Sequence, residues 1–397
     1  MISFWERESF TDYDFIVVGS GIVGLSAAIS YTESFPQSRV LVLERGIFPS
    51  GASTKNAGFA CIGSPTELLS DLQTMTEAEV VGLVKLRYDG LNLLRQRLGD
   101  EAIDYQALGS YEILSEKELF CLDRLDELNQ LLLPILNGNA FSIAKSELIE
   151  QFGFNPQFVR AMVVNHFEGQ IDTGKMMQAL LRLAHQKGIT IINGAEVVAF
   201  HDAQTEESGG VRVIVNHGLV NSTITFHAEK MAICTNAFVR QLIPDLLVKP
   251  GRGQVLVTHP IENLPFKGIF HFEEGYYYFR NFGNRVIFGG GRNLNFHAET
   301  TTEMHTTPQI LTELIRKLQT LILPHTPFFI DTQWAGIMAF GQDKIPFLKK
   351  VSPNVAIGVK LSGMGVAIGS VLGKQIVELL ATKEHPDIHF TKTADIF

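Results

Sequence analysis

A glycine-rich turn near the start of the chain is the feature that most constrains the fold. Residues 14–18 form a short apolar segment that runs into Gly19, Gly21 and Gly24 and then into a helical pattern. Gly19 lets the chain turn sharply after a strand, Gly21 leaves room for phosphate groups, and Gly24 lets the helix pack close to the strand. Free amides at a helix N-terminus face a bound anion. The turn therefore predicts a binding site for the pyrophosphate of a dinucleotide.

A second strand strengthens this prediction. Residues 40–43 are apolar and lead into Glu44. A carboxylate at the end of the second strand accepts hydrogen bonds from the ribose hydroxyls of a dinucleotide. Strand, turn, helix, strand and acid follow one another in the required order, which is much more specific than the glycine pattern alone. We expect a Rossmann-type β-α-β unit with a parallel sheet.

Size, charge and cysteine content narrow the class of protein. The chain has 397 residues, of which 45% are hydrophobic, so it can bury the core of an interleaved two-domain enzyme. Its net charge of -9 argues against a broad surface for nucleic acids or anionic membranes. Cys61, Cys121 and Cys234 are too far apart for a metal or redox motif, and they predict free thiols in a reducing compartment, the cytoplasm. We expect no transmembrane segment, because no apolar run is long enough.

The middle of the chain reads as helices followed by strands. Residues 51–58 are small and polar and predict a loop over the bound nucleotide. Apolar spacing predicts core-facing helices near residues 77–98 and 116–133. Alternating apolar residues from 189 to 226 predict an antiparallel meander, and a buried strand at 231–234 leads into a small polar turn.

The last third predicts a hairpin and a second glycine turn. Residues 276–288 form the hairpin with its turn at 281–284, and strand alternation sets Tyr276, Tyr278 and Arg280 on one face. Residues 361–366 form a glycine turn before a helical run at 367–380. A glycine turn at a helix N-terminus predicts a second site for an anion or a carbonyl oxygen.

Taken together, these segments resemble the FAD-dependent oxidoreductases of the D-amino-acid oxidase and glycine oxidase superfamily. The resemblance covers nearly the whole chain, and within the superfamily it is strongest to amine oxidases similar to gamma-glutamylputrescine oxidase. The segments that carry it are residues 17–24, 44–46, 53–58, 169–173, 234–238, 252–254, 287–290, 334–336 with Asp343, and 362–366.

The resemblance implies an α/β fold, α+β overall, with a Rossmann-type FAD-binding domain and an antiparallel-sheet substrate domain. The FAD-binding domain is expected to be discontinuous, comprising residues 1–98, 164–251 and 331–397. The substrate domain would comprise residues 99–163 and 252–330.

The resemblance also implies a set of cofactor contacts. No cysteine or histidine matches the covalent attachment sites of some relatives, so non-covalent FAD is expected. The residues that correspond to FAD contacts in the superfamily are Gly19, Gly21, Ile22, Val23, Gly24, Glu44, Arg45, Ser53, Thr54, Asn56, Ala57, Val197, Thr235, Asn236, Lys360, Gly363, Met364 and Gly365.

The expected reaction is oxidation of a C–N bond in an amine or amino acid, by hydride transfer to flavin N5 with oxygen or another acceptor reoxidising the flavin. Amino-acid oxidases of this superfamily usually carry a carboxylate-binding arginine after the segment that matches Trp334, and residues 335–340 contain none. We therefore expect an amine that lacks an α-carboxylate. The alternative is that Arg280 or Arg292 supplies the charge from the antiparallel sheet that would cover the flavin ring, here called the roofing sheet. Tyr278, Arg280, Arg292 and Met364 are the candidate catalytic residues.

Other interpretations stay open at the level of the sequence. Arg280 can instead anchor its hairpin, and Tyr276 and Tyr278 can be core residues. An FAD-dependent 2-hydroxy-acid dehydrogenase, an NAD-only dehydrogenase and a non-catalytic flavin-binding protein remain alternatives. The histidines lack metal-ligand spacing, so no metal is expected.

Overall fold

The computed structural model describes residues 2–202, 209–216 and 222–382. Its strands, in chain order, are β1 (Asp12–Val18), β2 (Val40–Glu44), β3 (Phe59–Ala60), β4 (Ser110–Leu114), β5 (Phe141–Ile143), β6 (Ala161–Asn165), β7 (Gly169–Gln170), β8 (Thr190–Asn193), β9 (Glu196–Asp202), β10 (Val211–Asn216), β11 (Thr223–Ile233), β12 (Lys249–Thr258), β13 (Ile269–Phe272), β14 (Tyr277–Phe282), β15 (Arg285–Gly290), β16 (Ile330–Phe340), β17 (Phe347–Ser352) and β18 (Val355–Val359).

The helices are α1 (Phe4–Phe10), α2 (Ile22–Ser34), α3 (Ala52–Lys55), α4 (Pro65–Asp71), α5 (Glu77–Leu98), α6 (Leu125–Leu136), α7 (Glu147–Gln151), α8 (Thr173–Gln186), α9 (Pro308–Lys317) and α10 (Gly365–Ala381). The predicted helix at 77–98 is confirmed as α5. The one predicted at 116–133 is a 3-10 segment, Glu116–Arg124, that continues into α6. The predicted loop at 51–58 contains the short helix α3.

The first sheet carries the Rossmann core. Its strands lie in the order β17-β18-β11-β1-β2-β8, and β9 and β10 extend it as an antiparallel meander from β11. The pairs β1–β2, β1–β11, β2–β8 and β11–β18 are parallel. β1 and β2 are nearly continuous apolar runs, as expected of parallel strands covered on both faces. Helices α2, α8 and α10 bury one face of this sheet.

The second sheet is mainly antiparallel. Its strand order is β16-β12-β15-β14-β13-β4-β6-β5. Among the described strands of this second sheet, only β13 and β4 pair in parallel. An aromatic cluster packs one face of this sheet against α9, and its rings stack or meet edge to face. Phe266, Phe270, Phe279 and Phe288 are fully buried there. The predicted hairpin is β14–β15, with Phe282 paired to Arg285.

The sheets do not follow the predicted domain boundaries in every detail. β16 pairs with β12 in the second sheet, so residues 331–340 lie in that sheet rather than with the Rossmann strands. β12 also begins at Lys249, before the predicted boundary at 252, and β6 ends beyond the one at 164. β12 and β16 pair over ten aligned residues. This long-range pairing, and not the position of the segments in the sequence, places residues 331–340 in the second sheet. The end of the predicted FAD-binding domain, residues 383–397, lies outside the described residues.

Candidate active site

A cavity of about 500 Å³ lies between the two sheets. It begins at the glycine turn after β1, passes α3 and the N-terminus of α10, and ends beneath β14, β15 and β16. The carboxyl ends of parallel strands meet at this edge, which is where doubly wound folds bind ligands. The cavity therefore joins the two regions that the sequence analysis assigned to cofactor and substrate.

The glycine turn has the geometry that the sequence predicts. Gly19 has φ +102°, a conformation that favours glycine. A Cβ on Gly24 would lie 1.9 Å from the Gly19 carbonyl oxygen, so only glycine lets α2 pack this closely. A Cβ on Gly21 would lie 2.8 Å from Ser53 Oγ. The amide of Ile22, at the start of α2, donates to that hydroxyl at 3.0 Å, which shows that a polar acceptor suits this position.

Glu44 holds the turn as well as lining the cavity. Its Oε2 accepts from the amide and hydroxyl of Ser20 at 3.0 and 2.7 Å, and its Oε1 accepts from the amide of Gly46 at 2.9 Å. Beside it, the Arg45 guanidinium stacks 3.9 Å above the ring of Phe238. The carboxylate is thus fixed at the end of β2, where the sequence predicted a contact with ribose.

Helix α3 forms the next part of the wall. Asn56 Oδ1 accepts from the Gly58 amide and the Thr173 hydroxyl at 2.9 and 2.8 Å, which anchors the segment to α8. Ser53, Asn56 and Ala57 line the cavity as predicted. Thr54 does not: its hydroxyl donates to the Pro49 carbonyl at 2.9 Å, because the helical turn directs it back along the chain.

The turn before α10 is built from unusual backbone conformations. Lys360, Ser362 and Gly363 all have positive φ, at 65°, 49° and 88°. The Lys360 amide donates to Asn236 Oδ1 at 3.1 Å, and Asn236 also has positive φ, at 48°. The side chain of Lys360 departs from the predicted site: it turns to Asp343, with Nζ 2.6 Å from Oδ1, and does not line the cavity.

Two buried hydroxyls of the cavity wall have no partner in the described part of the chain. They are Thr235 Oγ1 and Ser362 Oγ. Because a buried polar group without a hydrogen bond is costly, these atoms indicate a polar ligand. Together with the missing side chain at Gly21 and the α2 and α10 N-termini, they fit a dinucleotide with a pyrophosphate and a polar ring system. The predicted contacts Val23, Val197, Met364 and Gly365 also line the cavity.

The candidate substrate residues separate into two groups. Tyr278 and Arg292 line the cavity, as do Tyr276 and Met364. Arg280 does not: its Nη1 donates to the carbonyls of Gly58 and Ile171 at 2.9 and 2.6 Å. It therefore joins the roofing sheet to the strand segments β3 and β7 and is an anchor, the alternative that sequence reasoning left open.

Arg292 is the cation that reaches the cavity from the roofing sheet. Its guanidinium stacks 3.9 Å from the ring of Phe340 and 4.8 Å from that of Phe296. Burial lowers its pKa, with Tyr276 and Glu299 opposing that effect. Within residues 2–202, 209–216 and 222–382, no carboxylate forms an ion pair with it.

Sequence reasoning missed a group of buried charges on the opposite wall. Lys344 Nζ lies 2.8 Å from Glu67 and 2.7 Å from Asp71, and Arg87 pairs with Glu67 at 3.1 Å. Burial opposes ionisation of Glu67, yet Lys344 and Arg87 lower its pKa to about 2. These residues come from α4, α5 and the loop after β16, so no local pattern connects them.

His271 was also missed. It lies on β13, lines the cavity, and burial lowers its pKa to about 4, so its ring is neutral near pH 7. The thiol of Cys61 lies 4.0 Å from Met364 Sδ, and burial raises its pKa well above the ordinary value. An inert thiol at that position is consistent with the prediction that the cofactor is not attached through it.

Membrane-spanning helices and metal clusters are both absent from the described residues. No helix among them has the length and apolar character needed to cross a bilayer. The same residues contain no cluster of three or more His, Cys, Asp or Glu side chains placed to hold a metal ion.

Comparison with known proteins gives one family and several relatives. Residues 14–379 match the model of the family described as FAD dependent oxidoreductase. The chain is 24% identical to gamma-glutamylputrescine oxidoreductase of Escherichia coli K12, over 94% of this chain and 84% of that protein. It is 20% identical to the probable oxidoreductase OrdL of Haemophilus influenzae, over 92% of this chain and 82% of that one.

Solved structures share the fold. Glycine oxidase from Geobacillus kaustophilus superposes with a TM-score of 0.75 at 19% identity, covering 98% of this chain and all of that one (100%). L-proline dehydrogenase from P. horikoshii gives the same TM-score, 0.75, at 19% identity and covers 94% of each chain. The predicted fold class and superfamily are confirmed.

Proposed function

This chain belongs to the family of FAD-dependent oxidoreductases, and from that premise we propose that it oxidises the C–N bond of a small amine that also carries an anionic group. Bound FAD supplies the two-electron acceptor. The glycine turn, Glu44, α3 and the turn before α10 would hold the cofactor, and oxygen or another acceptor would take up the electrons. The three free cysteines support a reducing compartment, and we propose the cytoplasm.

The observation that carries this proposal is Arg292. A guanidinium between two aromatic rings, without a carboxylate partner in the described residues, attracts an anion because its charge is incompletely compensated. Residues 335–340 lack an arginine, and on that ground the sequence favoured a substrate without a carboxylate. Arg292 reaches the same cavity from the end of β15, which is the alternative source of charge that the sequence left open.

The part of the wall around Arg292 suits an uncharged amine. Tyr278, Met338, Phe340 and Met364 surround this end of the cavity. An apolar wall disfavours an ammonium ion, so it promotes loss of the proton before oxidation. Burial raises the pKa of Tyr278 to about 12, so its hydroxyl stays protonated and can donate a hydrogen bond to the substrate. The chain therefore binds the substrate, orients it and shields it from water, and it needs no catalytic triad to do so.

A second candidate function rests on the same arginine. A 2-hydroxy acid carries a carboxylate that Arg292 would bind equally well, so an FAD-dependent 2-hydroxy-acid dehydrogenase is the main rival. The gamma-glutamylputrescine relative supports the amine. A flavin-binding protein without catalytic activity would bind the same molecules and leave the flavin oxidised.

An anaerobic screen distinguishes these functions. The FAD-loaded protein is mixed with amines, amino acids, N-methyl amino acids and 2-hydroxy acids, and loss of the oxidised-flavin absorbance is recorded. We expect reduction by amines that bear a carboxylate. Reduction by hydroxy acids alone would favour the rival dehydrogenase, and reduction by none of the compounds would contradict the proposal.

A further inference from the structure

A chain of three buried polar side chains begins at His271 in the cavity wall and continues to Ser110 and Glu168. The Nε2 atom of His271 lies 3.4 Å from Ser110 Oγ, and Ser110 Oγ donates to Glu168 Oε2. The two strands that carry His271 and Ser110, β13 and β4, pair in parallel. Ser110 is fully buried and Glu168 is 3% exposed. The reaction as proposed above assigns no role to these three residues.

The backbone fixes which oxygen of Glu168 faces Ser110. Oε1 accepts from the amides of Ile62 and Gly63 at 2.6 and 2.9 Å. Two N–H donors cannot accept a proton, so any proton bound to this carboxyl group sits on Oε2, the oxygen that Ser110 contacts. The protonation state of Glu168 therefore decides whether the Ser110 hydroxyl donates a hydrogen bond to Oε2 or accepts one from it.

Counting hydrogens along the chain gives two states. When Glu168 is ionised, the single hydroxyl hydrogen of Ser110 goes to Glu168, and Ser110 must accept from His271 Nε2–H. Nδ1 of the neutral imidazole then carries a lone pair. When Glu168 is protonated, Oε2–H donates to Ser110, Ser110 donates to Nε2, and the ring hydrogen moves to Nδ1. Within the described residues no protein group bonds to Nδ1.

We propose that Glu168, acting through Ser110, selects the tautomer of His271 and so decides whether the cavity offers a substrate amine a hydrogen-bond acceptor or a donor. This inference rests on the proposed function, because it assigns Nδ1 of His271 to the N–H of the substrate. Glu168 and Ser110 are positioning residues. The acceptor state matches a neutral amine, and the donor state leaves the N–H of that amine without a partner.

Burial shifts the pKa values of Glu168 and His271 in opposite directions. Burial raises the pKa of Glu168 to about 7, against the hydrogen bonds from Ser110, Gly63 and Ile62. Burial lowers the pKa of His271 to about 4. Around neutral pH the proton therefore moves on and off Glu168 while the imidazole stays neutral. The acceptor state is present above about pH 7 and is lost as the pH falls through that value.

The surrounding charges stay fixed over this range. Glu67 raises the pKa of both Glu168 and His271, and it remains ionised because its own pKa is about 2. Arg87 and Lys344 pair with Glu67 and hold it in place. Burial opposes the charge on Lys344, but Glu67 and Asp71 raise its pKa above the ordinary value. Cys61 and Tyr105 also face Glu168, and burial raises the pKa of each, so both stay neutral. Among the groups named here, Glu168 is the one whose pKa lies near 7.

Imidazole nitrogen NMR on the FAD-loaded protein tests the inference without relying on turnover. With ¹⁵N-labelled histidine, and His271→Asn to assign the signal, we expect Nε2–H at about pH 8 and Nδ1–H at about pH 6, one unit either side of the pKa. In Glu168→Gln the side-chain amide donates to Ser110 permanently, so we expect Nδ1–H at both pH values. A wild-type tautomer that does not change with pH would overturn the inference.

The chain offers a matched control in Glu112. This carboxyl group is equally buried, has a pKa raised to about 7, and bonds to Ser64 and Thr66 instead of to Ser110. Glu112→Gln should keep the tautomer switch. If it abolishes the switch as Glu168→Gln does, the specific route through Ser110 is wrong. If Glu168→Gln fails to retain FAD, Ser110→Ala provides the test: its His271 tautomer should no longer follow pH, and one that still does would overturn the inference.

Kinetics add a second readout that a purely structural role would not change. In the wild type, KM for the amine should fall as the pH rises through about 7. In Glu168→Gln, KM should be about tenfold higher at pH near 8 and independent of pH, while kcat changes little, because one neutral hydrogen bond is lost. An unchanged KM profile in this variant would contradict the inference. If no amine reduces the flavin, the proposed function fails, and the NMR result still decides the tautomer switch.

Discussion

The two ends of the cavity are built in different ways. The cofactor end consists largely of backbone: a glycine turn, two helix N-termini and a run of residues with positive φ before α10. The substrate end consists of side chains from separate elements, including Arg292 after β15, His271 on β13 and Lys344 after β16. A backbone site tolerates changes of side chain but no added Cβ, whereas a side-chain site changes specificity with single substitutions. We therefore expect the second end to decide which substrate this protein accepts.

The sharpest test of the cofactor end is Gly21→Val. A Cβ at this position would already lie 2.8 Å from Ser53 Oγ, and a valine side chain fills the space that the pyrophosphate requires. We expect purified Gly21→Val to retain no FAD, measured by absorbance of the bound flavin. Gly82→Val is the control, because a Cβ there meets no atom within 4 Å. Stoichiometric, tight FAD in Gly21→Val would show that the turn is not the phosphate site.

Release of the flavin tests whether this end binds FAD without a covalent bond. Cys61 and Cys234 both line the cavity, Cys61 beside Met364, and burial raises the pKa of each thiol. We expect acid or heat denaturation of the yellow protein to release all of its flavin into the supernatant as intact FAD. Cys61→Ser should release the same amount. Flavin that remains with the precipitated wild-type protein would contradict non-covalent binding.

A smaller effect is expected from Glu44→Ala. The substitution removes the predicted ribose contact and leaves the Ser20 and Gly46 amides without their acceptor. Loss of a charged hydrogen bond costs about 1.5–3 kcal/mol, so the FAD dissociation constant should rise about 10- to 100-fold while the protein stays folded. Equilibrium titration with FAD measures the constant, and circular dichroism checks the fold. Unchanged affinity would place the ribose elsewhere.

The cofactor end of the cavity could be predicted from the sequence more completely than the substrate end. The glycine turn, Glu44 and the α5 helix were predictable because each depends on neighbours in the chain: a strand followed by glycines, a strand followed by an acid, and apolar residues at helical spacing. Thr54 and Lys360 were predicted to contact FAD, and the structure turns both side chains away. A position in a motif fixes the backbone but leaves the side-chain direction to local hydrogen bonds.

The substrate end was only partly predictable. Strand alternation placed Tyr278 and Arg280 on one face, yet it could not show that Arg280 would be captured by the carbonyls of Gly58 and Ile171. The Glu67–Lys344 pair joins residues 277 positions apart, and no local pattern connects them. Pairing of β12 with β16, which brings residues 331–340 into the second sheet, is likewise a long-range contact that no local pattern predicts.

The central claim is that Arg292 makes this a site for amines that carry an anionic group. Stopped-flow reduction of the FAD-loaded protein by an amino acid, its N-methyl derivative and the matching decarboxylated amine tests it directly, in the wild type and in Arg292→Gln. We expect the carboxylate-bearing amines to reduce the wild-type flavin faster, and Arg292→Gln to raise their apparent dissociation constant about tenfold or more, as expected for a lost charged hydrogen bond. Arg285→Gln, at the start of β15 and paired with Asp331 on the surface, should behave as wild type. If the decarboxylated amine reduces the wild-type flavin as fast as the amino acid does, and Arg292→Gln changes neither rate, the claim is wrong.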